Sequence, residues 1–261
     1  MQPTLPLIIE CAKTAGAMLR KMQYQDLEIQ HKGRTDLVTA ADKASEVYLL
    51  GEIQRNFPSH SIIAEESGNH QGDPAHQWFV DPLDGTLNYA HGLPFYSVSI
   101  GYAHNGRLEL GVVYDPSLDE CFSVQCGQGT HLNGQVIRIS KTNTLIDALL
   151  ATGFRAALID TSRSNFNNFL RFSRLTQGVR RFGSAALNLA YVAAGRLDGF
   201  WDVSLSQWDV AAGALLVQEA GGIVTKMYGE PEVMSEPVSI LAANPVMHEM
   251  MLKELLKQRQ E

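Results

Sequence analysis

The chain has 261 residues, of which 45% are hydrophobic and 19% charged, so it is long enough to bury a large core and too apolar to be disordered. Its formal net charge of −7 argues against a general nucleic-acid binder. Three cysteines without zinc-ligand spacing, no membrane-length apolar run and no signal-peptide pattern predict a cytoplasmic protein with reduced thiols and no membrane partner.

Two helices are predicted near the start of the chain. Between residues 3 and 22, apolar side chains recur at helical spacing, which indicates an amphipathic helix. A second helix is expected after Thr39, because Thr39 followed by Asp42 matches the capping pattern of a hydroxyl and an acid three positions later. Val47, Leu50 and Ile53 are expected on its buried face.

Short strands are predicted next, at residues 61–64 and 77–80, with Glu65 and Asp81 at their ends. The chain from Phe95 to about Ile139 contains Asn-Gly turns between β-prone runs, which predicts an antiparallel meander.

After residue 141 the pattern changes to alternating strands and helices. The segment "LLATGF" is strand-like, and "GSAALNLAYVAAG" is predicted to be a helix that begins after Ser184 and ends at Gly195. The segment "DVAAGALLVQEAGG" is predicted to be a helix with Asp209 as its N-cap, and a last helix ends the chain. We expect two packed sheets with helices between and outside them, an α+β half at 1–145 and an α/β half at 146–261.

Acidic residues stand at the borders of several apolar segments. Each of them has a plain explanation as a cap or turn residue. Together, however, converging carboxylates would repel one another strongly in a partly desolvated site unless cations lie between them. Hard oxygen ligands of this type suit Mg²⁺, with Mn²⁺ as an alternative, in a site for attack on phosphorus. The acids concerned are Glu65, Asp81, Asp84 and Asp209, with Glu66 as the weakest candidate.

The segment "DPLDGTLNY" adds a backbone feature to this hypothesis. Pro82 fixes one backbone angle so that the Leu83 carbonyl can face the same way as the carboxylates, and Gly85 and Thr86 open a short helix whose free N–H groups suit a phosphate. No P-loop or G-x-S-x-G elbow is present, and Cys126 shows no sign of activation as a nucleophile. His91 is predicted to be a loop residue rather than a catalytic base.

The motifs "IIAEES", "DPLDGTLNY" and "WDVAAGALLVQEAGG" closely resemble those of the inositol monophosphatase family, in the expected order. "DLVTAAD" and "GSAALNLAYVAAG" extend the resemblance over nearly the whole chain. It implies a layered αβαβα sandwich of the type shared by inositol monophosphatase and fructose-1,6-bisphosphatase. It also implies a usually dimeric, lithium-sensitive enzyme that hydrolyses small phosphate monoesters with two or three Mg²⁺ ions.

The resemblance also implies roles for individual positions. Glu65, Asp81 and the Leu83 carbonyl resemble the ligands of the family's first metal site. Asp81, Asp84 and Asp209 resemble the ligands of its second metal site. Among the catalytic residues carried over, Thr86 and Asp42 form a pair that orients and deprotonates the attacking water. Glu65 also holds a weaker third ion, and Lys32 matches a family lysine near the metals. The substrate-binding residues carried over are Gly85, Thr86, Gly183, Ser184, Ala185, Asp202 and Asp209.

Substrate choice stays open at this stage. Asp202 stands where many relatives carry glutamate, so the usual contact with a ring hydroxyl is shortened, and Arg181 can serve the substrate or the surface. Inositol-1-phosphate is the leading substrate, and the alternatives are those of fructose-1,6-bisphosphatase, histidinol-phosphatase and nucleotide 3'-phosphatases. A different class of function is also retained, because some bacterial relatives are transcription antitermination factors that bind RNA polymerase.

Overall fold

The computed structural model describes residues 2–23, 29–31, 37–155, 158, 161 and 164–260. The helices in these ranges are α1 (Leu5–Met22), α2 (Ala40–Asn56), α3 (Thr86–Ala90), α4 (Phe166–Leu175), α5 (Ala185–Ala193), α6 (Gln207–Glu219) and α7 (Pro245–Gln260). The strands are β1 (Ile29–His31), β2 (Leu37–Thr39), β3 (His60–Ala64), β4 (Gly68–His70), β5 (Asp73–Asp84), β6 (Ser97–His104), β7 (Arg107–Asp115), β8 (Glu120–Gln125), β9 (Thr130–Leu132), β10 (Gln135–Val136), β11 (Leu149–Thr152), β12 (Gly178–Arg180), β13 (Gly199–Leu205), β14 (Ile223–Thr225) and β15 (Val238–Ala243).

Two large sheets and three sets of helices form five layers. The first sheet has the order β10-β9-β8-β7-β6-β5-β3-β4, the second has the order β12-β11-β13-β15-β14, and β1 pairs with β2. Helices α1 and α2 pack on the first sheet, α5 and α6 contact both sheets, and α4 and α7 pack on the second sheet. The predicted αβαβα sandwich is confirmed.

The three largest apolar cores of the described residues fill the spaces between the layers, because successive strand residues point to opposite faces of a sheet. Trp78 of β5 packs with α1 and α2, Phe122 of β8 packs with α5 and α6, and Trp201 of β13 packs with Met251 of α7.

None of the helices in the described ranges is both long enough and apolar enough to cross a membrane. All three cysteines are free thiols.

The capping prediction for α2 is confirmed, but its predicted buried face is partly wrong. The Thr39 hydroxyl accepts a hydrogen bond from the Asp42 N–H, and the Asp42 carboxylate accepts one from the Thr39 N–H at 2.8 Å. Leu50 and Ile53 are buried as expected, whereas Val47 is 74% exposed. The polar residues Asp42, Ser45 and Glu46 occupy part of the buried face of α2. A prediction based only on the positions of apolar residues therefore placed this face wrongly.

The predicted meander is confirmed, and its turns show why the sequence revealed it. Asn105-Gly106 joins β6 to β7 and Asn133-Gly134 joins β9 to β10, with positive φ at all four residues. Only glycine, and to a lesser degree asparagine, adopts this conformation at low cost. Strand β5, in contrast, is longer than predicted, and Asp81 lies within it rather than beyond its end.

The C-terminal half follows the predicted alternation with one correction. Ser184 caps α5 through a hydrogen bond from the Leu187 N–H, as expected. Helix α6, however, begins at Gln207 with Ser206 as its N-cap, so the prediction that Asp209 is the N-cap was wrong. Asp209 is instead the third residue of the helix, where its side chain accepts from the Ser206 N–H at 2.7 Å. A serine three positions before an acid has the same capping-box pattern as Thr39 and Asp42.

Candidate active site

Strand β5 carries two buried aspartates at its carboxyl end, Asp81 at 1% exposure and Asp84 at 9%. In a regular strand, residues three apart point to opposite faces. The pairing of β5 with β6 shifts between Asp81 and Asp84, with Pro82 in the irregular part. Such a bulge re-aims the side chains, so that both carboxylates act on the same site.

Electrostatics shows that the predicted acids converge on Asp81. Burial raises the pKa of Asp81 well above the usual aspartate value, and neighbouring carboxylates raise it further. These neighbours are Glu65, Asp84 and Asp209. Glu65 also shares a hydrogen bond with Asp81, while the second Asp81 partner is the Leu83 N–H at 3.0 Å. Residues from β5, from the turn that follows β3 and from α6 therefore lie close together.

Asp209 reaches this point because α6 packs very close to the first sheet. A side-chain carbon added at Gly101 of β6 would lie 2.7 Å from the Ala211 Cβ, and one added at Gly111 of β7 would lie 3.0 Å from the Ala212 Cα. The first distance is too short for any residue but glycine, and the second is tighter than most contacts that a real Cβ makes. Burial raises the pKa of Asp209 well above the usual aspartate value, and the negative charge of Asp84 raises it further.

Asp84 links the first sheet to the start of α5. Its carboxylate accepts hydrogen bonds from the Ser184 hydroxyl, from the Ala186 N–H at 2.8 Å and from the Ala185 N–H at 3.2 Å. Burial raises the pKa of Asp84, and these donors oppose the rise. Negative charge at a helix N-terminus is favourable, so this contact holds the substrate segment predicted at Gly183 to Ala185 against the acids.

Thr86 and Asp42 form the dyad that the family resemblance implied. The Thr86 hydroxyl lies 2.9 Å from an Asp42 carboxylate oxygen and 3.0 Å from the Leu83 carbonyl oxygen. Asp42 is fully buried, and burial raises its pKa, which hydrogen bonds from Thr39 and Thr86 partly offset. The same contact places the Leu83 carbonyl beside the dyad.

Glu46 supports the acidic loop and was not identified from the sequence. Its carboxylate accepts from the Glu66 N–H at 2.9 Å and from the Ser67 N–H at 2.8 Å. It lies one helical turn after Asp42 on α2 and is only 4% exposed. A buried acid at helical spacing from a predicted catalytic acid is a signal that sequence inspection can use. Glu66 itself contributes its backbone to this contact.

The predicted substrate segments also lie together. Gly85 has φ of +95°, and a side-chain carbon there would be 3.0 Å from the Phe95 carbonyl oxygen and 3.4 Å from the Gly183 carbonyl oxygen. The Asn88 amide donates to the carbonyls of Phe95 and Phe182, at 2.7 Å each. Helix α3 is thereby fixed against the segment that leads into α5.

A cavity of about 210 Å³ opens beside these groups. Its lining includes Asp84, Asp209 and the predicted substrate residues Gly183, Ser184, Ala185 and Asp202. Burial raises the pKa of Asp202 to about 6, which its hydrogen bond from the Ser204 N–H and nearby arginines oppose. Asn188 also lines the cavity, and its amide oxygen is buried without a hydrogen-bond partner among the described residues.

Of the other candidates, His91 and Cys126 are not part of this group. Lys32 falls outside the described residues. His91 follows α3 and its N–H bonds back to the helix carbonyls, as expected for a loop residue. Cys126 contacts the Arg107 guanidinium in a different cleft, which Leu215 and Glu219 also line.

The donor chemistry of the acids suits a hard divalent ion, since the group offers carboxylate and carbonyl oxygens. As the side chains lie, no group of three or more His, Cys, Asp or Glu residues in the described ranges could hold a metal ion. In this structure Asp84 and Asp209 accept hydrogen bonds from backbone N–H groups, and Asp81 shares a hydrogen bond with Glu65. Burial and mutual repulsion raise the pKa values of Asp81 and Asp209, a cost of negative charge that a cation would remove, so the donor chemistry of these residues fits such an ion.

Comparisons with known proteins agree on one family. A family model described as "Inositol monophosphatase family" matches residues 1–260. The chain is 42% identical over 253 residues to Nus factor SuhB of Pseudomonas aeruginosa, covering 94% of this chain and 92% of the relative. It is 38% identical over 260 residues to inositol-1-monophosphatase of Mesorhizobium japonicum, covering 97% and 96%. The solved structure of inositol monophosphatase from Anabaena superposes with a TM-score of 0.88 at 43% identity, covering 97% and 95%.

Proposed function

The chain belongs to the inositol monophosphatase family and is a phosphoric monoester hydrolase, and we propose that it hydrolyses inositol-1-phosphate with two or three Mg²⁺ ions. The observation that carries this proposal is the convergence of Glu65, Asp84 and Asp209 on the buried Asp81. Water forms the new bond to phosphorus, and the bond between phosphorus and the inositol oxygen breaks. The departing oxygen takes up a proton from solvent, and the proton that the attacking water gives up returns to solvent.

The acids would hold the ions in the way that the family generally does. Glu65, Asp81 and the Leu83 carbonyl would form the first site, and Asp81, Asp84 and Asp209 the second, with Glu65 also near a weaker third ion. When bound, Mg²⁺ neutralises these carboxylates, polarises the phosphate and lowers the pKa of water. This neutralisation also explains how a protein of net charge −7 accepts an anionic substrate.

Thr86 and Asp42 supply a route for the proton of the attacking water. The Thr86 hydroxyl already donates to Asp42 at 2.9 Å, so its oxygen is left as an acceptor for water. As water loses a proton to Thr86, Thr86 passes its own proton to Asp42. Burial raises the pKa of Asp42 and so makes that carboxylate a better proton acceptor.

The phosphate and the polyol would lie on adjacent surfaces. The first N–H groups of α3, after Gly85, would bind the phosphate. The cavity that Gly183 to Ala185 and Asp202 line would receive the polyol. Asp202 can accept hydrogen bonds, as can the Asn188 amide oxygen, which has no partner among the described residues, and such acceptors suit hydroxyl donors. Lys32 is proposed to lie near the ions.

Phosphate release from a panel of substrates tests this proposal. The panel contains inositol-1-phosphate, fructose 1,6-bisphosphate, histidinol phosphate and adenosine 3',5'-bisphosphate, each with Mg²⁺, with Mn²⁺, with lithium added and with a chelator. We expect inositol-1-phosphate to be hydrolysed fastest, lithium to inhibit and the chelator to abolish release. Release that continues at full rate with chelator would overturn the metal assignment.

A second candidate function rests on the name of a relative. Because Nus factor SuhB is 42% identical over nearly its whole length, we propose association with RNA polymerase as an additional activity. Capture of purified RNA polymerase by the immobilised protein tests it, and absence of capture would remove this candidate. We also propose that the protein is cytoplasmic and forms a homodimer, which light scattering would check. Each subunit would consist of an α+β half at 1–145 and an α/β half at 146–261, which limited proteolysis would check.

A further inference from the structure

Helix α2 carries three polar residues on its buried side, Asp42, Ser45 and Glu46. Residues three and four apart in a helix lie on the same face. Buried polar groups are unfavourable unless they form hydrogen bonds. Asp42 bonds to Thr86, and Glu46 bonds to the loop that follows β3. Ser45 contacts a third part of the active site.

This third part is the backbone between the two aspartates of β5. The Ser45 hydroxyl donates to the Pro82 carbonyl oxygen at 2.9 Å, although 37 residues separate the two in the chain. A serine within a helix often points to solvent or bonds to a carbonyl of the preceding turn. A hydroxyl has one hydrogen to donate, and Ser45 uses it for another element of the fold.

Pro82 lies in the irregular part of β5. Between Asp81 and Asp84, β5 advances by three residues while its partner β6 advances by two. Such a bulge leaves its extra residue outside the ladder, so a buried carbonyl there needs another donor. Pro82 is buried, and Ser45 supplies a donor to it.

The peptide group between Pro82 and Leu83 is held at both ends. Its oxygen accepts from Ser45, and its N–H donates to the Asp81 carboxylate at 3.0 Å. Because a peptide group is planar, a bond to its oxygen also fixes the direction of its N–H. Of these two contacts, the one with Ser45 involves no proposed metal ligand, so it can hold the plane whether or not Asp81 binds an ion.

The firmness of this segment bears on the choice of ion. Mg²⁺ requires nearly octahedral oxygen ligands at short distances, whereas Ca²⁺ accepts irregular and more numerous ligands at longer distances. The proposed first site includes Asp81 and the Leu83 carbonyl, which flank the plane that Ser45 holds. Ligands whose backbone is fixed before the ion arrives therefore favour Mg²⁺.

We propose that Ser45 is a positioning residue that orients Asp81 and the Leu83 carbonyl for Mg²⁺ and so disfavours Ca²⁺ at the same site. The inference rests on the proposed metal-dependent function and deepens it by naming a residue that sets the choice of ion. Ser45 touches neither ion nor substrate and acts through the Pro82 carbonyl.

Calorimetric titration of chelator-treated protein with Mg²⁺ and, separately, with Ca²⁺ tests the inference without turnover. Ser45→Ala removes the hydroxyl and introduces a strong helix former. We expect the dissociation constant for Mg²⁺ to rise about tenfold, as for other residues that orient metal ligands. The constant for Ca²⁺ should rise less than about threefold, because Ca²⁺ tolerates a looser site.

Phosphate release gives a second readout. In Ser45→Ala the Mg²⁺ concentration for half-maximal rate should rise by the same factor as the dissociation constant. At saturating Mg²⁺ we expect kcat to stay within about twofold of the wild type, because the loss lies in binding the ion.

Thr130→Val is the matched control. The buried Thr130 hydroxyl donates to the Leu216 carbonyl oxygen at 2.7 Å, a contact between the first sheet and α6 that involves none of the predicted site residues. Each variant loses one buried hydrogen bond, so we expect similar falls in melting temperature. Thr130→Val should nevertheless bind both ions like the wild type.

The outcomes separate this inference from the proposed function. Wild-type Mg²⁺ affinity in Ser45→Ala, or an equal loss for both ions, would overturn the inference. Weaker Mg²⁺ binding in Thr130→Val as well would reveal general loosening and overturn it too. If the wild type binds Mg²⁺ but hydrolyses none of the substrate panel, the proposed hydrolysis fails while the two affinities still decide on Ser45. If the wild type binds no Mg²⁺, both proposals fail.

Discussion

Thr86 donates its hydroxyl hydrogen to an Asp42 carboxylate oxygen over 2.9 Å, although 44 residues separate the two in the chain. The contact joins the first turn of α2 to the first residue of α3. It places a hydroxyl oxygen and a buried carboxylate in series beside the converging acids, which is the arrangement that a proton relay requires.

Replacing Thr86 by valine removes this relay without changing the size of the side chain. We expect kcat to fall about a hundredfold, the lower range for positioned proton transfer, with a small change in melting temperature. Phosphate release and thermal unfolding measure the two effects. Thr86→Ser, which keeps a hydroxyl, is the matched control and should retain most activity. Equal losses in both variants would contradict the relay.

Asp84→Asn should affect both chemistry and stability. Loss of a metal-binding charge should lower kcat about a thousandfold. The new amide places a donor against the N–H groups of Ala185 and Ala186, so we also expect a loss of roughly 1–3 kcal/mol in the free energy of unfolding. Asp73→Asn is the control, because Asp73 is exposed and its contact with the Ala75 N–H survives in asparagine. Wild-type turnover of Asp84→Asn in Mg²⁺ would disprove the metal assignment.

Glu46→Ala tests the support of the acidic loop. Without the acceptor for the N–H groups of Glu66 and Ser67, Glu65 is positioned less firmly. We expect the Mg²⁺ concentration for half-maximal activity to rise about tenfold, as is usual for residues that orient metal ligands. Glu46→Gln keeps one acceptor oxygen and should show a smaller rise. An unchanged Mg²⁺ requirement in Glu46→Ala would exclude this positioning.

Asp115 gives a prediction for the pH dependence of stability away from the active site. Burial raises its pKa to about 6, against hydrogen bonds from the N–H groups of Leu118 and Ser117. The folded state therefore favours the protonated acid, and this contribution to stability is lost as the pH rises from about 4 to above 6. Chemical denaturation should show the stability of the wild type falling relative to Asp115→Asn over that range. A constant difference between the two proteins would contradict the raised pKa.

Local patterns in the sequence predicted much of the fold. The capping pairs of Thr39 with Asp42 and of Ser184 with α5 act over three or four residues, so their signals survive in the sequence. The Asn-Gly turns act over two residues and fixed the meander. Val47 was misplaced because the buried face of α2 depends on which residues the first sheet and the acids require, and Glu46 occupies part of it.

The acids were identified from the sequence, but their mode of contact was not. Asp81 lies inside β5 rather than after it, and Asp209 is the third residue of α6 rather than its cap. Glu46, Asn188 and Arg155 escaped notice because each acts through partners that are distant in the chain. Only the packed sheets bring such partners together.

The sequence by itself determined the kinds of chemistry available: hard oxygen ligands, a phosphate-suited helix start and the turns that order the first sheet. The tertiary structure decided where these groups meet, because Gly101 and Gly111 let α6 approach the first sheet and so bring Asp209 toward Asp81. It also brought Arg155 and Arg181 to the same cavity, because β11 and β12 pair in parallel. Propensities and caps are set by adjacent residues, whereas a cavity depends on the packing of distant ones.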